Sequence, residues 1–153
     1  MVFTHDAYRL VESEGKVSHL MFDEATSHLA WVEGKRRVHL AVLDEDGQCR
    51  VTSTFEHLND VSSLQFFRNQ WIVGDEIDGL VFHDLDGSVS QEKSVDAGVV
   101  QCTPWGQSLV ILDGLGQLLS MKSEPSAASL SSKFGFEDIV KREVSGDHIY
   151  IAQ

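Results

Sequence analysis

The strongest constraint on this chain is a repeat. A burst of short apolar segments begins at Val17, Val61, Val99 and Ile139, so the starts are 44, 38 and 40 residues apart. Each of the first three units holds three or four segments of four to seven residues rich in Val, Ile, Leu and Phe, separated by Asp, Gly, Asn and Ser. Segments that short suit strands better than helices, and tight Asp/Gly connections make successive strands antiparallel neighbours. A period of 20–50 residues marks a unit that cannot bury its apolar face alone and must stack on its neighbours.

The expected strands of the first unit cover residues 17–22, 29–33, 38–43 and 50–55, joined by "DEATS", "GKRR" and "DEDGQ". The second repeats the plan at 61–67, 71–75, 80–84 and 91–95, and the third at 99–103, 108–112 and 117–121. Residues 122–133, "KSEPSAASLSSK", are poor in large apolar residues and read as a loop or short helix inserted before or within the outer strand. The fourth unit offers 139–144 and 149–152. Its "FEDIVKREV" also has helical apolar spacing, but the repeat register favours strand. An opening strand is expected over residues 2–11. Runs such as "WIV" and "LVIL" have no polar alternation, as expected of strands covered on both faces. The fold class is therefore all-β, with about three and a half four-stranded antiparallel units near 16–56, 57–96, 97–135 and 136–153.

The second unit carries the most specific motif. His57 precedes "VSSLQF", "IVGDEIDG" follows with its Asp78-Gly79 turn, and "LVFHDL" forms the third segment. This series resembles a WD-repeat blade of a β-propeller. The resemblance implies that His57 and Asp78 belong to the hydrogen-bonded network of His, Ser/Thr, Asp and Trp that pins such a blade. Glu56 stands where the family has Gly, Gly74 falls near the Ser/Thr position, and the third strand has no Trp. The third unit, "VVQCTPWGQSLVILDGLGQLLSM", looks equally like blades of the regulator-of-chromosome-condensation family. Both resemblances imply a platform for protein partners. A propeller needs about four to eight blades. The expectation is thus a single propeller-like domain over 1–153 or an N-terminal propeller piece, completed by a longer parent, a second copy or another subunit.

Composition narrows the partners. Twelve Lys and Arg against 24 Asp and Glu give a net charge of −12, which repels a phosphate backbone. The only basic cluster, Lys35-Arg36-Arg37, reads as a solvated hairpin tip. Nucleic acid is not expected as a partner, and neither is a membrane: the start carries His5, Asp6 and Arg9 in place of an apolar signal core, and no run approaches a span. Cys49 and Cys102 stand far apart without CxxC spacing, which fits a reducing compartment, cytoplasm or nucleus.

Each candidate for chemistry also has a structural reading. Asp44 and Asp46 in "DEDG", and Asp84 and Asp86 in "DLDG", recur at the same place in successive units, with a weaker "DGLG" at Asp113. Calcium would take such oxygens, but no EF-hand pattern follows, and Asp-Gly is an ordinary strand-connecting turn. The histidines at 5, 19, 28, 39, 57, 83 and 148 form no HxxxH pair. Ser108 lacks a GxSxG elbow, and no phosphate-cradling glycine motif is present. Trp31 and Trp71 are expected to pack between units, whereas Trp105, between Pro104 and Gly106, is the candidate exposed anchor for a partner. The leading expectation is a non-enzymatic interaction scaffold without cofactors. The alternative is a calcium-type or catalytic propeller using the Asp-x-Asp-Gly carboxylates.

Overall fold

The computed structural model describes residues 15–122 in full and the backbone of 129–134. All regular structure in these residues is β. The first sheet contains β1 (Val17–Asp23), β2 (His28–Glu33), β3 (Arg37–Leu43) and β4 (Cys49–Glu56). The second contains β5 (Val61–Phe67), β6 (Gln70–Asp75), β7 (Gly79–His83) and β8 (Val89–Ser94). The third contains β9 (Val99–Trp105), β10 (Ser108–Asp113), β11 (Leu118–Lys122) and β12 (Ser129–Phe134). Each sheet is a meander in chain order, with every pair antiparallel. The expected strands at 2–11, 139–144 and 149–152, and the partial fourth unit 136–153, lie outside the described residues.

The sheets stack face to face, and the second is covered on both sides. Ala30, Val32, Val38 and Leu40 of the first sheet pack on Val61, Leu64, Trp71 and Val73 of the second. The opposite face of the second sheet sends Phe67, Ile72, Leu80 and Phe82 against Cys102, Leu109, Ile111, Leu119 and Met121 of the third. Trp71, Ile72 and Val73 therefore point alternately to two different interfaces, and all three are fully buried. This is why "WIV" has no polar alternation. Burying each such side chain contributes about 1.5–3 kcal/mol.

The innermost strands meet one another, since β5 packs against both β1 and β9. His19 reaches the Ser62 carbonyl through Nε2 at 3.2 Å, and the Ser62 hydroxyl donates to the Val99 carbonyl. The outer strands are polar by contrast: β8 reads VSQEKS with mostly exposed residues. The same composition explains β12. Residues 129–134, within the stretch expected to be a loop or short helix, pair with β11 from Leu118↔Phe134 to Lys122↔Ser129. An outermost strand needs little apolar content, so its sequence carries only a weak strand signal.

An antiparallel meander also sorts its connections. The links between second and third strands share one end of the stack with the crossings from one sheet to the next. The first-to-second and third-to-fourth turns occupy the other end. Asp44 and Asp86 lie at that other end and fold back on their own turns. Asp44 Oδ1 accepts from the Asp46 and Gln48 N–H groups at 3.0 and 2.8 Å, and Asp86 Oδ1 from the Ser88 N–H at 2.9 Å. Asp84 Oδ1 accepts from the Gln70 amide at 3.1 Å.

Candidate functional site

The crossing from β4 to β5, residues 57–60, lies on turns from both sheets that it joins. Its backbone is tied to the β2–β3 turn by His57 N–H to Arg36 O at 2.8 Å and Val61 N–H to Lys35 O at 2.8 Å. Arg36 adds bonds to Asp60 and to the Leu58 carbonyl at 2.8 and 3.1 Å. The basic cluster thus sits at a hairpin tip, and Arg36 and Arg37 use their charge locally on Asp60, Glu33 and Glu56.

On its other side the crossing carries the buried polar pair of this region. His57 Nε2 donates to Asp75 Oδ2 at 2.6 Å, with His57 7% and Asp75 1% exposed. The other carboxylate oxygen of Asp75 accepts the backbone N–H groups of Ile77 and Asp78 at 2.9 and 2.6 Å, and of Gly79 at 3.4 Å. Burial alone would push the Asp75 carboxyl up. The hydrogen bonds from Asp78, His57, Ile77 and Asn59 outweigh it and hold the group below the ordinary carboxylate value.

Where the sequence pattern assigns Asp78 as the partner of His57, the structure places Asp75. Asp78 is exposed and accepts from the Asn59 amide at 2.8 Å. The reason is strand register. Asp75 ends β6, where it can cap the following turn and face the crossing, whereas Asp78 lies within that turn with its carboxylate on Asn59. The third sheet has the same device: Asp113 ends β10 and accepts from the Leu115 and Gln117 N–H groups at 3.0 and 2.8 Å. The signal was in the sequence, as an aspartate closing the second strand of both "IVGD" and "VILD".

Beside the pair, a cleft of about 420 Å³ runs between Phe55–Leu58 and strands β7 and β8. His83 forms part of its wall, stacked on Phe55 at 4.0 Å between ring centroids and donating from Nδ1 to the Gly87 carbonyl at 2.9 Å. Burial pushes the His83 imidazole below its ordinary value of 6.5. Ser63 and Cys102 are buried against each other between the second and third sheets. Ser63 accepts from the Cys102 N–H at 3.0 Å, and burial pushes the Cys102 thiol up to about 11. Among the described residues, no three His, Cys, Asp or Glu side chains converge to hold a metal ion.

Trp105 is also placed differently from expectation. It ends β9, half-buried, at the end of the stack opposite His57. Trp71 packs between the first two sheets as expected. Trp31 lies on the other face of the first sheet, stacked on His39 at 5.1 Å.

No protein-family model matches this sequence, and no curated protein matches it. Solved structures do. The β-propeller domain of Cps50 (Swd1) from Myceliophteria thermophila superposes with a TM-score of 0.61 at 18% identity, over 83% of this chain and 43% of that one. The N-terminal domain of Nup159 gives 0.54 at 16% identity, over 78% of this chain and 31% of that one. The three sheets are divergent β-propeller blades. The chain spans less than half the length of either neighbour. In blade terms, the His57–Asp75 bond fastens the crossing between blades one and two to the second blade, and Arg36 fastens it to the first. No membrane-spanning helix is present among the described residues.

Proposed function

We propose that this chain is a non-enzymatic protein-interaction scaffold, a propeller module that works inside a multi-subunit assembly in the cytoplasm or nucleus. The observation that carries this reading is the outer face of the first blade. Leu20 and Phe22 of β1 stand opposite Trp31 and Leu29 of β2, and Val51 of β4 stands opposite Ala41 of β3. Leu20, Phe22 and Val51 are exposed at 67%, 44% and 42% on a sheet whose other face is a packed blade interface. Blades bury such faces against further blades, so a partner blade from a second copy or another subunit suits this one. The buried polar groups support the same reading, because His57, Asp75, Ser63 and Asp113 are occupied in joining strands, turns and blades. Cys49 and Cys102, both free thiols, suit a reducing compartment.

Size-exclusion chromatography with light scattering tests the proposal. The expected result is a mass well above the 17.0 kDa of one chain, or a stoichiometric co-purifying subunit. The paired change Leu20→Glu and Phe22→Glu is expected to return it to a single chain. A monodisperse monomer with a cooperative melt at all concentrations, and no stoichiometric subunit, would refute it.

A further inference from the structure

The end of the stack that carries the blade crossings displays a second apolar surface, separate from the blade face above. Three of its side chains are among the most exposed large hydrophobics described: Leu58 at 75%, Ile77 at 68% and Leu115 at 76%. Scattered exposed leucines need no explanation. These three are not scattered. Ile77 and Leu115 occupy the same station in successive blades, two residues after the aspartate that ends the second strand, with their N–H groups bound to that aspartate. Leu58 follows His57, which is bonded to the Asp75 that holds Ile77. The crossing at 95–98 continues the belt, through Val95 N–H to Asp78 O at 2.9 Å and Gly114 N–H to Ala97 O at 3.1 Å. These bonds hold the backbone of all three positions at the same end of the stack, in connections where folding requires no large apolar residue.

Around Ile77 and Leu115 the charge is mainly acidic, while Lys35 and Lys93 lie on the Leu58 side. Glu76 and Asp78 flank Ile77, and Asp96 lies on the crossing between the Ile77 and Leu115 turns, all exposed. The nearby cations Arg36 and Arg37 already pair with Asp60, Glu33 and Glu56 on the first blade. The second and third blades thus present pre-positioned aliphatic side chains within an acidic surround. We infer that this end is a docking surface for a basic protein segment that carries large aliphatic or aromatic side chains between its lysines and arginines. The apolar row would supply contact area on turns already ordered, and Glu76, Asp78 and Asp96 would select for positive charge and speed encounter. The inference rests on the scaffold reading but uses a different surface.

The test is selection of a random twelve-residue peptide library on the full chain, followed by fluorescence anisotropy with the selected peptides. Selected sequences are expected to be rich in Lys or Arg together with Leu, Ile, Phe or Trp. Their affinity should fall at least fivefold in L58S/I77S/L115S, fall similarly in E76Q/D96N, and weaken as salt rises. It should be unchanged in L20E/F22E. The substituted side chains are exposed, and an unchanged melting temperature verifies the fold of each variant. Failure to enrich any sequence, enrichment of acidic peptides, or binding indifferent to both variant sets would overturn the inference. A monomeric chain that still binds such peptides through Leu58, Ile77 and Leu115 would refute only the assembly of blades. An assembled chain without peptide binding would refute only the docking surface.

Discussion

Asp75→Ala is the most informative single change. It removes the acceptor of bonds from His57 Nε2, from the N–H groups of Ile77 and Asp78, and, at 3.4 Å, from Gly79, besides the Asn59 amide that also favours its charge. Both side chains are buried, with Asp75 1% and His57 7% exposed. A buried donor left without a partner costs about 1–3 kcal/mol. The Gly79 bond is too long to add much, and the turn can relax toward solvent at exposed Ile77, so the low end of the roughly 3–9 kcal/mol for the three remaining donors applies. A loss of about 3–5 kcal/mol is expected, a large part of the roughly 5–15 kcal/mol that holds a domain folded. Urea unfolding followed by tryptophan fluorescence measures it, since Trp71 is fully buried at the interface of the first two blades. Asp78→Ala, which removes only an exposed bond to Asn59, should stay within about 0.5 kcal/mol of the parent. His57→Ala combined with Asp75→Ala should reveal coupling of about 1–3 kcal/mol. Equal costs for Asp75→Ala and Asp78→Ala, or strict additivity with His57→Ala, would show that this bond does not pin the blade.

The remaining expectations test other parts of the same construction. His83 has its folded value pushed below 6.5, so the unfolded chain takes up a proton that the folded chain resists. Its contribution is complete above pH 6.5 and is lost as pH falls through the lower folded value; His83→Phe, which preserves the stack on Phe55, should flatten urea midpoints over that range. Asp75, likewise depressed, contributes above about its ordinary 3.8 and loses that contribution in stronger acid, so Asp75→Asn should reduce the acid sensitivity of the melt at the lowest pH. A Cβ at Gly98 would overlap the Glu76 carbonyl oxygen, whereas one at Gly47 meets nothing within 4 Å, and both residues have positive φ. Gly47→Ala should cost about 1–2 kcal/mol, the left-handed backbone term alone, and Gly98→Ala clearly more, by the same unfolding assay. Thiol labelling at pH 8 should modify half-buried Cys49 well before Cys102, whose thiol burial pushes up to about 11; equal rates would contradict the packing of β9.

What the sequence made legible follows from where each residue's constraint lies. The strands of the blade interfaces were readable because burial on both faces leaves an unbroken apolar run, as in Trp71-Ile72-Val73. The outer strand Ser129–Phe134 was missed because its position asks little of its side chains, and serine, an indifferent strand former, fills it. The WD-repeat resemblance points to Asp78 through its Asp-Gly turn and gives no role to Asp75, which closes an apolar strand. Both aspartates lie near the same turn, and only the register of β6 against the crossing decides which reaches His57. Trp105 attracted attention as a large aromatic beside Pro and Gly, yet it closes a strand at the far end.

The residues that form the exposed apolar row escaped notice for a deeper reason. Leu58, Ile77 and Leu115 belong to three different connections, and no period or motif joins them until the meander brings those connections to one end. A repeat protein writes its architecture into every unit, because each blade must solve the same packing problem. It writes recognition across units, in side chains that share a surface without sharing a sequence context. For this chain, His57 and a previously unassigned Asp75 fasten a crossing to a blade, and the proposed recognition falls to exposed turn residues that no blade motif demands.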